Sequence, residues 1–331
     1  MKESPHFHDL IAASPSVFTL GVAGDSGSGK TTFTQAIRTI FGEDLVSTIT
    51  LDDYHLYDRE ERKRRDITPL DPAANDLRGL EEDLSLLKQG KTVLKTVYNH
   101  DRGTIQGPVP FTPSRILILE GLHPLYTPRL RELLDFSLYV DPATEVKREW
   151  KIKRDMQKRG YDRGEVEKEI ARRAEDYDAF IAPQKSYADA LVEIGFSRFG
   201  RDLGWLRDVY RVSLSLARNE LAGDDADLRI DLGRLFSLPD GNFLFEYRKR
   251  ELFGRKVATL TFDGEPGKEV ISGLEGCVAR QTGVYPPGLV HPDDTVNATA
   301  CIRIILAIRI ISRWLEIRDP DRPFRVSCGE D

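Results

Sequence analysis

The chain has 331 residues, 40% hydrophobic and 31% charged, which fits a globular protein with a sizeable core and excludes a disordered one. A formal net charge of −6 excludes a general nucleic-acid binder, whose phosphate contacts need a basic surface, but leaves room for a small basic pocket that takes an anionic metabolite. The most apolar stretch, "ACIRIILAIRIISRWLEI", is broken by Arg303, Arg309 and Arg313, so it reads as a packed helix and not as a membrane span.

In chain order, the opening "MKESPHFHDLIAASPS" carries acids and no continuous apolar run, and makes a poor signal peptide. "VFTLGVA" (Val17–Ala23) is a short apolar strand, followed by a glycine-rich turn and the helical "KTTFTQAIRTIF". "LVSTITL" (Leu45–Leu51), "RILILE" (Arg115–Glu120) and "FSLYV" (Phe136–Val140) are further strands of the buried kind. A helix is predicted after Val140, with Asp141 as its N-cap, Pro142 at its first position and Gly160 at its end. A second is predicted around Glu165–Phe180, ending before Pro183. Strands alternating with helices imply a doubly wound, mainly parallel sheet with helices on both faces over residues 1–195. From about Gly195, short alternating segments separated by Pro-Asp-Gly and Phe-Gly turns predict antiparallel strands, and then a helix punctuated by arginines. Residues 196–331 thus read as a smaller C-terminal α+β region. Cys277, Cys301 and Cys328 have neither metal-ligand nor disulfide spacing and point to a reducing, cytoplasmic setting.

The strongest motif is "GDSGSGKT", Gly24 to Thr31, between a predicted strand and a predicted helix. It predicts an α/β fold of the P-loop nucleoside-triphosphate hydrolase-like, nucleotide-kinase type. Backbone N–H groups from Gly24, Asp25, Ser26, Gly27, Ser28, Gly29 and the helix start at Lys30, Thr31 and Thr32 would cradle ATP phosphates. Lys30 reaches the terminal phosphates, and the Thr31 hydroxyl is a Mg²⁺ ligand. In a doubly wound sheet, ligands gather beyond the carboxyl ends of the strands. Glu120, closing "RILILE", is therefore the second metal candidate. "DDYH" (Asp52–His55) ends a strand at the same edge, where only one of its two carboxylates would point inward.

Along the predicted helix after Asp141, at ~100° per residue, Lys147, Lys151, Arg154, Asp155, Lys158 and Arg159 share an arc of roughly 140°. Trp150, Ile152 and Met156 lie outside that arc. A basic segment over 147–162, hinged at Gly160, could close on the nucleotide as a lid.

"LDDYH", "PLDPAAND" (Pro69–Asp76), "VYNH" (Val97–His100), "EGLHP" (Glu120–Pro124), "WKIKRDMQKRG" (Trp150–Gly160) and "DYDAFIAPQKSYADA" (Asp176–Ala190) together resemble the phosphoribulokinases. The likeness is to the plant and cyanobacterial type, over roughly Gly21 to Ile194, with the C-terminal portion only loosely similar. It implies that Asp52 is the general base for a sugar hydroxyl and that Asp53 caps or supports. His55, Arg59, Tyr98, His100, Asp155 and Arg159 would contact the phosphorylated pentose. Lys151 and Arg154 would neutralise the phosphoryl group in flight; the role of Lys185 stays open. The activity implied is ATP- and Mg²⁺-dependent phosphorylation of D-ribulose 5-phosphate to ribulose 1,5-bisphosphate, in a homodimer paired through C-terminal strands. Ser28 and Thr50 stand where plant relatives have regulatory cysteines, so no thiol switch is expected there. A uridine/cytidine kinase shares the same plan, and an ATP-switched regulatory binding protein would need the cradle but no acceptor base.

Overall fold

The computed structural model describes residues 11–160, 162–200, 208–217, 243–265 and 298–318, with isolated positions between 267 and 276. The first ten residues, the Pro-Asp-Gly turn at 239–241, Cys277, Cys328 and the side chains of Lys158 and Arg159 lie outside the described residues. The chain divides into two compact units, residues 14–34 with 44–191, and residues 1–13, 35–43 and 192–331.

In the first unit, β1 (Phe18–Ala23) is buried throughout and runs into the glycine turn and α1 (Lys30–Phe41), whose residues from Gln35 onward belong to the second unit. β2 (Val46–Thr50) leads into a single 3₁₀ turn, Leu51–Tyr54. Then come α2 (Arg59–Arg64), α3 (Leu77–Lys88), β3 (Val93–Asn99), β4 (Thr104–Phe111), β5 (Ile116–Gly121), α4 (Pro128–Leu133) and β6 (Phe136–Pro142). β2, β5, β1 and β6 form a parallel array in that order, with Thr50 and Val22 both in register with Glu120. That register aligns the carboxyl ends of β1, β2 and β5 along one edge. β3 and β4 form a separate antiparallel ribbon.

Local sequence explains the helix ends. Asp76 caps α3 by accepting from the Gly79 N–H at 2.9 Å, and Leu80, Leu84 and Leu87 recur at helical spacing on its buried face. Each buried leucine stabilises the fold by roughly 2 kcal/mol. They join Ile49, Leu117, Leu119, Leu130 and Leu133 in one core cluster.

The helix expected after Val140 is α5 (Thr144–Arg159), but Asp141 and Pro142 are not its N-cap and first residue. They end β6, and the N-cap position falls on Ala143, with no side-chain bond. The Asp141 carboxylate is engaged elsewhere: it pairs with Lys185 Nζ at 2.6 Å and accepts from the Tyr177 hydroxyl at 3.4 Å. Gly160 does end α5, with φ +70°, a conformation that costs glycine no side-chain clash. The second predicted helix is divided: α6 (Arg163–Arg172) opens on an Asp162/Glu165 capping box, and after Arg173 the chain passes through one further helical turn, a wider π-helical stretch at Tyr177–Ile181 and a 3₁₀ turn at Ala182–Tyr187. Pro183, inside the last of these turns, cannot donate to a helical ladder.

In the second unit, β7 (Ala190–Phe196, its first two residues from the first unit), β8 (Tyr210–Ala217), β9 (Phe243–Leu252) and β10 (Arg255–Gly264) precede α7 (Ala298–Arg318). β10 lies antiparallel between β8 and β9, and the β9–β10 hairpin turns at Phe253-Gly254, both at positive φ. The antiparallel strands and the closing helix are as the sequence predicts. α7 packs on β8 and β10, and its apolar residues are buried nearly all round. Among the described residues no helix is long and apolar enough to cross a membrane.

Candidate active site

The glycine turn builds a cradle from backbone. Gly24 has φ +151°, and a Cβ there would lie 2.6 Å from the Val140 carbonyl, so no other residue fits that bend. Gly27 and Gly29 also have positive φ. With these angles the N–H groups turn inward at the start of α1, an arrangement suited to polyanionic phosphate. Lys30 Nζ donates to the Gly24 and Asp25 carbonyls at 3.0 and 2.8 Å. Burial pulls the Lys30 pKa below its ordinary range, partly offset by Glu120, Asp25 and Asp52. Those three carboxylates therefore favour the charged form of Lys30.

Thr31 Oγ1 donates to Glu120 Oε1 at 2.7 Å, which brings the two metal candidates together. No group of three or more His, Cys, Asp or Glu side chains suited to a metal exists among the described residues. Mg²⁺ needs no such cage, because phosphates and waters complete its octahedron. One hydroxyl and one carboxylate beside the cradle fit that donor set.

α5 lies along the cradle. Lys147 Nζ pairs with Asp25 Oδ2 at 2.9 Å, and Arg154 points a guanidinium nitrogen at Ser26 Oγ, 3.4 Å away. Burial would raise the Asp25 carboxyl, but Lys147, with Lys151 and Lys30, outweighs it and holds the group below the usual carboxylate range. Lys151 is 6% exposed, and burial with nearby Arg173 pushes its pKa down to about 8. Arg154 also bonds Asp155, which is 4% exposed, at 2.8 Å. Trp150, placed outside the basic arc by sequence, faces the cradle too: its ring comes within 3.1 Å of where a Gly29 side chain would begin. Ser28 Oγ is buried in the turn with no hydrogen-bond partner.

The second cluster gathers around Asp52. Asp52 and Asp53 occupy a turn, not the strand end, and the turn separates their directions. Asp53 is 5% exposed; it accepts from Lys95 Nζ at 2.5 Å and from the Tyr98 N–H at 2.8 Å, which staples the turn to β3. Asp52 instead meets two imidazoles, His55 Nε2 at 3.5 Å and His100 Nε2 at 3.3 Å. The Tyr98 ring stands edge-on to both, 5.0 Å from His55 and 5.1 Å from His100 between centroids. Burial holds the His55 ring below the usual histidine pKa. Arg59 donates to the His100 carbonyl and its backbone N–H to Gly103 O, tying α2 to the β3–β4 turn.

The structure thus brings Asp52, His55, Arg59, Tyr98 and His100 together, and Lys30, Thr31, Glu120, Lys151, Arg154 and Asp155 together. Lys185 pairs with Asp141 and lies over the Tyr177 ring, which Lys147 also faces. Three contributors escaped the sequence reading. Arg62, 7% exposed, donates to the Tyr98 hydroxyl at 2.7 Å; Lys95 neutralises Asp53; Asn75 bonds His55 Nδ1 at 2.7 Å. Asn75 does lie in "PLDPAAND", one of the motifs that carried the resemblance, but Arg62 is one charge among many in "REERKRR", and Lys95, a single cation in the strand "VLKTVYN", does not name its partner.

Residues 19–198 match the family model described as Phosphoribulokinase / Uridine kinase family. Over 178 residues the chain is 44% identical to the phosphoribulokinase of Synechocystis sp., covering 54% of each chain. It is 36% identical over 271 residues to the chloroplastic phosphoribulokinase of Triticum aestivum, covering 74% of this chain and 67% of that one. The chain spans about half the length of most of the phosphoribulokinases it matches. Among solved structures, phosphoribulokinase from Rhodobacter spheroides superposes with a TM-score of 0.53 at 19% identity, over 89% of this chain and 100% of that one. That likeness concerns the fold, a mixed α/β P-loop kinase.

Proposed function

The chain belongs to the phosphoribulokinase/uridine kinase family, and from that premise we propose that it phosphorylates the 1-hydroxyl of D-ribulose 5-phosphate with ATP. The observation that carries this reading is Asp52. Its carboxylate stands at the carboxyl-end edge of the sheet, acts electrostatically on Lys30, and is bordered by His55 and His100.

ATP and Mg²⁺, when bound, supply the phosphoryl group and much of the charge neutralisation that its transfer needs. The cradle of Gly24 to Thr32 and Lys30 hold the triphosphate, while Thr31 and Glu120 order the metal and its waters. Asp52 takes the proton from the acceptor hydroxyl as the new O–P bond forms and the bond to ADP breaks. Lys151 and Arg154 face the cradle and neutralise charge on the transferring group. His55, Arg59, Tyr98, His100 and Arg159 hold the pentose phosphate, with Asp155 meeting it from the cradle side beside Arg154; Tyr98, accepting from Arg62, keeps its own hydroxyl hydrogen for the sugar. The burial of α5 residues against the cradle supports the lid role of 147–162, since such contact excludes water. β9 lies at the edge of its antiparallel group, and pairing of that edge with a second copy would give the homodimer.

The family description also covers uridine kinases, and a uridine/cytidine kinase is the second reading. A nucleoside has no phosphate for Arg59 and Arg159 to grip. Turnover of ATP with ribulose 5-phosphate, compared with uridine, separates the two: rapid turnover with the sugar phosphate is expected, and turnover with uridine alone would overturn the proposal.

A further inference from the structure

Asn75 is 8% exposed, and its contacts settle which way its amide points. Its Nδ2 lies 3.1 Å from the Pro69 carbonyl and 2.8 Å from the Asp71 carbonyl. Carbonyl oxygens only accept, so the NH₂ end must face them. Oδ1 therefore faces His55 Nδ1, at 2.7 Å, and Oδ1 also only accepts. The hydrogen in that bond has to sit on Nδ1. Backbone bonds hold the pair in place: Leu56 N–H to Ala74 O at 2.9 Å and Asp76 N–H to Tyr54 O at 2.8 Å make His55 and Asn75 an antiparallel bridge. On the far side of the loop, His123 Nε2 lies 2.8 Å from the Leu70 carbonyl and fixes the backbone that carries Asn75.

A neutral ring with its proton on Nδ1 presents a bare Nε2. That atom lies 3.5 Å from Asp52 Oδ1, so two acceptors face each other with no hydrogen between them. The charged and titratable groups that bear on the ring are Asp52, Arg62 and His100, and burial, the largest influence, favours the neutral form by holding its pKa below the ordinary histidine value. Two adjacent lone pairs, in a site flanked by a carboxylate base, call for a ligand that brings hydroxyl hydrogens.

We propose that Asn75 is a positioning residue which locks His55 as the Nδ1–H tautomer, so that its Nε2 accepts a hydroxyl hydrogen of the bound sugar beside Asp52. The inference deepens the reading of the Asp52 cluster as the acceptor-sugar site and rests on it. It also explains why His55 does not tie up the base: with Nε2 protonated, it would donate to Asp52 and compete with the reacting hydroxyl.

The test is a long-range ¹H–¹⁵N correlation spectrum of the histidine rings in the full-length protein, with His55 assigned through His55→Gln. The wild type is expected to show His55 protonated on Nδ1 and bare on Nε2, with Nε2 shifting when ribulose 5-phosphate is added. In Asn75→Leu the proton moves to Nε2, and KM for the sugar phosphate rises about tenfold with KM for ATP unchanged. Asn75→Asp keeps an acceptor at Nδ1 and should retain the Nδ1 proton although it loses the bonds to the Pro69 and Asp71 carbonyls, so a retained Nδ1–H ring in a variant with a lowered Tm separates tautomer control from simple loss of packing. A bare Nδ1 in the wild type, or an Nδ1–H ring persisting in Asn75→Leu, would overturn the proposal. Absence of turnover with ribulose 5-phosphate while the Nδ1–H pattern holds would instead remove the assigned substrate and leave the tautomer lock standing.

Discussion

The phosphate cradle and the Asp52 cluster are built on opposite principles. The cradle is a contiguous stretch, Gly24 to Thr32, whose grip comes from backbone N–H groups and one lysine. The Asp52 cluster draws on the 51–54 turn, α2, the 69–76 loop and the β3–β4 ribbon, and its geometry is held by side chains. A backbone cradle depends on a few dihedral angles and tolerates varied surroundings. A side-chain cluster depends on each buried partner, so it can be re-tuned for a different acceptor, and it can also be dismantled one residue at a time.

The largest effect is expected for Asp52→Asn. We expect kcat to fall by roughly a hundred- to ten-thousandfold while ATP affinity, measured by calorimetry, stays nearly intact. Loss of ATP binding in step with kcat would mean that the two clusters are one unit.

This contrast also decides what the sequence discloses. The cradle is legible because a phosphate-binding turn needs its glycines and lysine at consecutive positions, and the parallel strands are legible as short apolar runs. Asp52 and His55 became legible only through the combined motifs. Arg62 and Lys95 did not, because a buried cation at 62 or 95 looks like any other charge until its partners, Tyr98 and Asp53, fold beside it. The misplaced start of α5 has the same origin: Asp141 followed by proline satisfies a local capping rule, but a distant lysine claims the carboxylate. The ribbon strand β4, largely exposed and holding two prolines, carries no apolar alternation to announce it.

Next in size is the staple beneath Asp52. Lys95 and Asp53 are 8% and 5% exposed, and Asp53→Leu leaves a buried cation without its partner. Denaturant unfolding should show a loss of about 3–5 kcal/mol. A loss under 1 kcal/mol would mean that the turn carrying Asp52 is held by something else. On the cradle side, Gly24→Ala forces a Cβ against the Val140 carbonyl at a positive φ. ATP affinity should drop at least about tenfold, with the histidine resonances of the Asp52 cluster little changed. Arg159→Ala should raise KM for the sugar phosphate more than KM for ATP; equal effects would place this residue with the cradle.

The smallest effect expected is one of pH. Lys151, with its pKa near 8, is charged below that value and loses its charge as the pH rises through it. The kcat/KM for ATP should therefore decline on the alkaline side with a midpoint near 8. Lys151→Arg should move that limb to higher pH, because guanidinium stays protonated. An unmoved limb would assign it to another group.

The most direct measurement is a crystal structure with ribulose 5-phosphate and a non-hydrolysable ATP analogue bound together. The account predicts the Asp52 carboxylate within hydrogen-bond reach, about 2.6–3.2 Å, of the sugar hydroxyl that faces the terminal phosphate. A complex in which that carboxylate points away, with the hydroxyl served by another group or by none, would contradict it.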